Sequence, residues 1–330
     1  MKALVTGSNG FIGSHLVDSL LRNNFEVACL FRKGSNSRFL DKLDIQRIYI
    51  DFNDIDSLLA IDALQEADYI FHLAGVTKHT NLDDFNRGNL TPTHNLLQAA
   101  AKRCDNLKQF IFLSSQAAAG PALSLEQPMV EADTASPIEF YGESKKRAED
   151  VVLEYKNHFP VTIIRPGAVY GPRDVDFLNL FKQIKTGLNL YPQNRKKYVS
   201  IIYVDDLVAG IISCAGQPSA YGEIFNLCNE DPVTWETIQE SMVAIMDKKV
   251  LHATIPSFAI FIAGKAGDLI ARFSSRVPVV NTQKIKLSQP VFWVMSPEKA
   301  VKLLSFSPKT TLQDGLRKTL SWYRESGWLK

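Results

Sequence analysis

With 330 residues, 45% of them hydrophobic and 22% charged, the chain has the composition of a globular protein and is long enough to bury about 75% of its unfolded surface without staples. Its 37 basic and 35 acidic side chains leave a formal charge of +2, which is no footprint for a polyanion and argues against nucleic acid as a partner. Cys29, Cys104, Cys214 and Cys228 lie far apart with no C-x-x-C pair, and no H-E-x-x-H spacing occurs, so neither a disulfide framework nor a metal site is expected.

Residues 3–6 read as a buried strand, followed by a helix-period run over 10–23. Further strands are predicted at 26–31, 47–50, 69–74, 109–114 and 161–165, with helices at 91–104 and 143–158 between them. Apolar strands alternating with helices predict an α/β fold, a doubly wound parallel sheet covered on both faces, with its ligand at the carboxyl ends of the strands. Past Arg165 the alternation weakens, although 200–204 and 223–227 still read as strands; the remainder reads as mostly helix with proline-rich joints. The expected organisation is a dinucleotide-binding domain of residues 1–170 and 199–233, with a smaller, partly interleaved substrate lobe of 171–198 and 234–330. The glycine turn at Gly7 leaves no room for a signal peptide, and the most apolar stretch, 258–264, is too short to span a bilayer. A cytoplasmic protein without membrane insertion is the expectation.

Thr6-Gly7-Ser8-Asn9-Gly10-Phe11-Ile12-Gly13 falls directly between the first strand and the first helix. Gly7 permits the tight turn, Gly10 lets backbone approach a pyrophosphate, and Gly13 allows close packing of helix on sheet. The helix N-terminus then offers unpaired N–H groups and a positive dipole end to phosphates. A carboxylate at the end of the second strand, about 20 residues on, would hold the ribose 2′-hydroxyl of NAD. Phe31 stands there, followed by Arg32 and Lys33, so nothing repels a 2′-phosphate and a guanidinium is available to grip one. NADP is therefore the expected cofactor, with NAD possible.

Tyr141 and Lys145 are four residues apart, on one face of a predicted helix. A phenol near pKa 10 exchanges protons poorly at neutral pH unless its phenolate is stabilised, and a lysine cation supplies that stabilisation. Ser114-Ser115 closes the strand at 109–114, where a hydroxyl could orient a substrate oxygen.

Taken together, these motifs resemble the extended short-chain dehydrogenase/reductase family, also called the NAD-dependent epimerase/dehydratase family. The glycine turn is similar to its T-G-x-x-G-x-x-G, Asp51-Phe52 to the acidic-apolar pair at adenine, and His72-Leu73-Ala74-Gly75 to its H-x-A-[AG]. Residues 89–95 resemble its N-x-x-G-T-x-N, with Pro92 in place of the glycine. Ser115, five residues before Gly120, corresponds to the active-site hydroxyl, and Tyr141 with Lys145 to the catalytic pair. Residues 165–172 resemble R-P-x-x-V-Y-G-P beside the nicotinamide, which brings in Pro166 and Val169, and residues 203–206 resemble the later V-D-D.

The resemblance implies that Tyr141 is the general acid/base, that Ser115 bonds the same substrate oxygen, and that Lys145 lowers the Tyr141 pKa and binds ribose. It also implies cofactor contacts from Gly7, Asn9, Gly10, Phe11, Ile12, Gly13, Leu73, Ala74 and Gly75. Departures narrow the reaction. Gln116-Ala117 stand where sugar-nucleotide 4,6-dehydratases carry Asp-Glu, and Val199 stands where many epimerases place an arginine on the substrate diphosphate, although Arg195, Lys196 and Lys197 lie just upstream. The tail, with Trp293, Lys299-Ala300, Trp322-Tyr323 and Trp328, resembles the branch of 3β-hydroxysteroid dehydrogenases and dihydroflavonol-type reductases, and the apolar stretch 255–273 would suit a lid or a packed helix. The expectation is an oxidoreductase interconverting a secondary alcohol and a ketone. The alternatives are a sugar-nucleotide epimerase and a non-catalytic dinucleotide-binding protein. Relatives often pair through the helix bearing Tyr141, so Ala148, Val151, Val152 and Tyr155 are candidates for a homodimer face or for core; Thr77, Lys78 and His79 border the expected substrate site.

Overall fold

The computed structural model describes residues 1–192, 196–256, 258–259, 261–262, 264–265, 267 and 282–330. In chain order its strands are β1 (Lys2–Thr6), β2 (Glu26–Arg32), β3 (Gln46–Ile50), β4 (Tyr69–His72), β5 (Gln109–Leu113), β6 (Val161–Pro166), β7 (Ala168–Tyr170), β8 (Leu188–Pro192), β9 (Tyr198–Val199), β10 (Ile201–Tyr203), β11 (Glu223–Leu227), β12 (Val233–Thr234), β13 (Leu251–Ile255) and β14 (Phe292–Trp293). Seven of them form one sheet in the order β11-β6-β5-β4-β1-β2-β3, and every pairing in it is parallel. The chain winds outward from β1 to β3, then returns to β4 on the other side of β1. That reversal opens a crevice at the carboxyl ends of β1 and β4, where an open α/β sheet takes its ligand.

Side-chain alternation divides the core into two. Ala3, Val5 and Phe71 point to one face, where a single apolar cluster runs on through Phe181 and Met242 to Leu320 and Tyr323 near the C-terminus. Leu4, Ile70 and Phe112 point to the other, under the helices Thr91–Arg103 and Phe140–Glu154. The C-terminal residues thus share the core of the sheet's first face.

Two expectations are corrected. The second long helix begins at Phe140, not at 143, because the Glu139 carboxylate accepts the Tyr141 and Gly142 N–H groups at 2.6 and 2.5 Å and so caps the first turn. The late part of the chain is also richer in strand than predicted: β8 pairs in parallel with β13, and β9 lies between β12 and β14. These short strands break the helix-like pattern that the composition of the region suggests. Of the stretch 255–273, considered as a lid, only scattered positions are described, and Arg195 lies outside the described residues. No helix among the described residues is long and apolar enough to cross a membrane.

Candidate active site

The glycine turn closes between β1 and the helix Phe11–Arg22, with the Gly10 N–H donating to the Gly7 carbonyl at 3.0 Å. Gly7 has φ +69°, and a Cβ on it would lie 2.6 Å from the Ala74 nitrogen at the end of β4; one on Gly13 would lie 2.1 Å from the Gly7 carbonyl oxygen. Gly10 occupies the N-cap with no side chain bonded across the helix start. Its first N–H groups are therefore available, and the cradle fits a diphosphate. Asn9 ties the turn to the loop after β2 through a 3.1 Å bond to the Asn36 carbonyl. Arg32, the last residue of β2, and Lys33 just beyond it are exposed, in no ion pair among the described residues. Asp51 is exposed and accepts the Asn53 N–H, whereas the Phe52 ring is buried in the core, so of this pair only Asp51 and backbone face outward.

Under the crevice, His72 links β1 to β4. Its Nδ1 lies 2.7 Å from the Thr6 hydroxyl and its Nε2 2.8 Å from the Thr93 hydroxyl. Thr93 gives its only proton to the Asn89 carbonyl, at 2.6 Å, so Nε2 must carry the imidazole proton and Thr6 must donate to Nδ1. Thr6 in turn accepts the Ala74 N–H at 3.0 Å. Complete burial pushes the His72 pKa down to about 3, with the nearby Lys145 charge adding to the effect, and the ring is neutral.

Asn89 sits in a π-helical turn (Asn86–Leu90) that runs directly into the helix Thr91–Arg103, with Pro92 in its first turn. Its amide bonds both ends of the Val76 peptide and donates to the Ser144 hydroxyl at 2.8 Å, which donates to the Tyr141 carbonyl.

Three consecutive residues at the end of β5 meet three successive turns of the tyrosine helix. Ser115 caps the short helix Gln116–Ala119 by accepting the Ala117 N–H at 3.1 Å, and its hydroxyl lies near enough to the Tyr141 phenol to favour the phenolate. The Leu113 carbonyl accepts from the Lys145 ammonium at 2.6 Å. Ser114 donates to Glu149 at 2.5 Å. Of the two serines, then, Ser115 presents its hydroxyl to the phenol while Ser114 is a buried anchor. Lys145 is 4% exposed and its Nζ stands 4.1 Å from the centre of the Phe112 ring. Burial lowers its pKa to about 7, against the opposing effect of Glu149. Burial pushes the Tyr141 phenol up to about 12, opposed by the Ser115 hydroxyl and reinforced by the Glu139 carboxylate. Lys145 is not among the groups that shift the phenol here; desolvation dominates, and the phenol is protonated at neutral pH.

Pro166 ends β6 and Val169 lies in β7, paired with Ile202 of β10, so the stretch beside the expected nicotinamide is held by strand pairing. The V-D-D carboxylates are structural: Asp205 meets His15 at 3.3 Å, and Asp206 accepts the Lys309 and Thr310 N–H groups. Val199 is buried in β9. Ala148 and Val152 are core, with Val151 and Tyr155 packed beside them. His79 packs edge-on against Phe85, whose ring is 6.1 Å from Tyr141, while Lys78 reaches Asp176 at 3.6 Å. Glu139 and Glu149 were not singled out from sequence. Glutamate is not among the usual N-cap residues, so no local signal marks Glu139; nothing local marks Glu149. Among the described residues no group of three His, Cys, Asp or Glu could hold a metal ion.

A model of the NAD dependent epimerase/dehydratase family matches residues 3–228. The chain is 27% identical to the ceramide reductase of Caulobacter vibrioides, over 98% of this chain and 95% of that protein. It is also 27% identical to the UDP-glucose 4-epimerase of Vibrio cholerae, over 96% of this chain and 93% of that protein. The crystal structure of the UDP-glucuronic acid 4-epimerase from Bacillus cereus, in complex with UDP-glucuronic acid and NAD, covers 99% of this chain and 100% of its own with a TM-score of 0.79. At 24% identity that likeness is one of fold.

Proposed function

Because the chain belongs to the NAD-dependent epimerase/dehydratase family, we propose that it reduces a ketone to a secondary alcohol, and catalyses the reverse, with NADP as cofactor and Tyr141 as general acid/base. It is an enzyme of nicotinamide dinucleotide chemistry acting on a small molecule. The observation that carries the finer reading is the Ser115–Tyr141 pair, a phenol kept in its acid form by burial with a second hydroxyl beside it.

The dinucleotide, when bound, supplies the hydride-exchanging centre. The turn from Gly7 through Asn9, Gly10, Phe11 and Ile12 to Gly13 offers N–H groups to the diphosphate. Arg32 and Lys33 are free to take a 2′-phosphate, Asp51 flanks the adenine end, and Leu73, Ala74 and Gly75 line the path to the nicotinamide, walled by Pro166 and Val169. Tyr141 gives its proton to the substrate oxygen, and Ser115 donates a hydrogen bond to the same atom. The Lys145 ammonium stabilises the phenolate left behind and reaches the ribose. Each interaction strengthens as charge develops on oxygen, which is where such groups lower a barrier most.

Residues 171–198 and 234–330 would form the substrate lobe. One feature favours a ketone of low polarity over a sugar nucleotide: the buried Val199 offers no charge to a diphosphate. Gln116-Ala117 separately lack the acid and base needed to eliminate water, which argues against dehydration. The similarity to a ceramide reductase agrees with this. The epimerase reading retains the support of an equally identical relative. Net change in nicotinamide absorbance separates the two: NADPH consumed in proportion to added long-chain ketone supports reduction. Conversion of UDP-glucose to its C4 epimer without net NADPH or NADP turnover would overturn it.

A further inference from the structure

We propose that Glu149 is a positioning residue for this reaction: tethered by Ser114 and Arg165, its carboxylate sets the register between the end of β5 and the tyrosine helix and supplies the countercharge of the Lys145 ammonium. The inference deepens the reading of Tyr141 and Lys145 given above and rests on it.

Glu149 is 1% exposed, Arg165 2% and Ser114 4%. Arg165 grips the carboxylate with two bonds, Nε to Oε1 at 2.9 Å and Nη2 to Oε2 at 2.6 Å, and Ser114 donates to Oε1 at 2.5 Å. A buried ion pair of this kind is not in itself a source of net stability, since removing two ions from water costs about what their attraction returns. Its geometric effect is clear. Glu149 is one helical turn beyond Lys145, and Ser114 lies between Leu113, which binds Lys145, and Ser115, whose hydroxyl neighbours Tyr141. Sliding the helix by one residue would break all three contacts together, and the Glu149 link is the one with charge and two-point geometry.

The titratable groups that interact with Lys145 are Glu149 on its own helix and His72 from β4, with Tyr141 one turn before it and Arg165 of β6 bonded to Glu149. His72 is neutral, Tyr141 is protonated, and Glu149 is the one that favours the ammonium.

The test is Glu149→Gln, which keeps the shape and the acceptor for Ser114 while removing the charge. The Lys145 Cε resonance, followed by NMR in cofactor-free protein labelled with ¹³C-lysine and identified by its absence in Lys145→Arg, gives the ionisation midpoint directly, with no substrate needed. It is expected to move down by about one pH unit. The alkaline limb of kcat for ketone reduction should move with it, while the KM for NADPH stays within about twofold. Should the single variant fail to fold, Glu149→Gln with Arg165→Met leaves no unpaired ion, and the same downward shift is expected. Ser114→Ala, which keeps the ion pair, should lower kcat with the Lys145 midpoint unchanged. An unmoved midpoint in a folded Glu149→Gln or double variant would overturn the proposal, as would full kcat in Ser114→Ala. Failure of the reading it rests on would look different: no ketone reduction by the unsubstituted protein, whatever the midpoint.

Discussion

Gly142 rests against Ala117 so closely that a Cβ on the glycine would lie 2.3 Å from the Ala117 carbonyl oxygen. This contact presses the short helix that Ser115 caps onto the first turn of the helix that carries Tyr141. It fixes the approach of two hydroxyls that come from separate strand–helix units.

Gly142→Ala therefore cannot be accommodated without parting the two helices, although alanine is the better helix former. The expected result is a folded protein, destabilised by about 1–3 kcal/mol as for other overpacked sites, with kcat reduced at least tenfold. NADPH binding should be little changed. Thermal denaturation and titration of the cofactor's fluorescence check the two halves separately.

Lys145 carries a cost to the empty fold. Its pKa falls from an ordinary 10.5 to about 7 on burial, so the unfolded chain binds this proton more tightly than the native one does. Stability tied to this group is complete above pH 10.5 and is lost as pH falls toward 7, at up to about 1.4 kcal/mol per unit. Lys145→Met should stabilise the cofactor-free protein at pH 7 by about 2 kcal/mol after loss of the bond to Leu113. The gain should shrink as pH rises toward 10, and turnover should be abolished. Urea midpoints at pH 7 and pH 9.5 measure it.

Arg32 stands exposed at the end of β2 with no carboxylate near it in sequence through Ser35. Arg32→Asp places the 2′-hydroxyl acceptor of NAD-binding sites there and repels a 2′-phosphate. The KM for NADPH is expected to rise at least tenfold, and that for NADH to fall or hold. Parallel initial-rate measurements with both cofactors decide the matter.

The sheet was legible because its strands are nearly continuous apolar runs, and the crevice followed from the glycine turn at Gly7. Tyr141, Lys145 and Ser115 were singled out through the resemblance to the family, not by spacing alone. What the chain conceals is register. Ser114 and Ser115 are alike as residue types, and only the turn of backbone after Leu113 sends one to Glu149 and the other to the phenol. The partnership of Glu149 with Arg165 joins a helix to a strand across 16 positions, with no local pattern to announce it. The phenol's raised pKa was equally hidden, because it comes from burial by distant chain. The small strands β8 and β13 escaped because each is stabilised by a partner far along the sequence.

The central claim is that the Tyr141 phenol supplies the proton. Tyr141→Phe removes one oxygen and leaves the glycine turn, Arg32 and Lys145 in place. Measured by stopped-flow reduction of a ketone substrate at saturating NADPH, the hydride-transfer rate should fall by about 10²–10⁴, with the Kd for NADPH unchanged. A variant that still reduces the ketone at near the original rate would contradict the account.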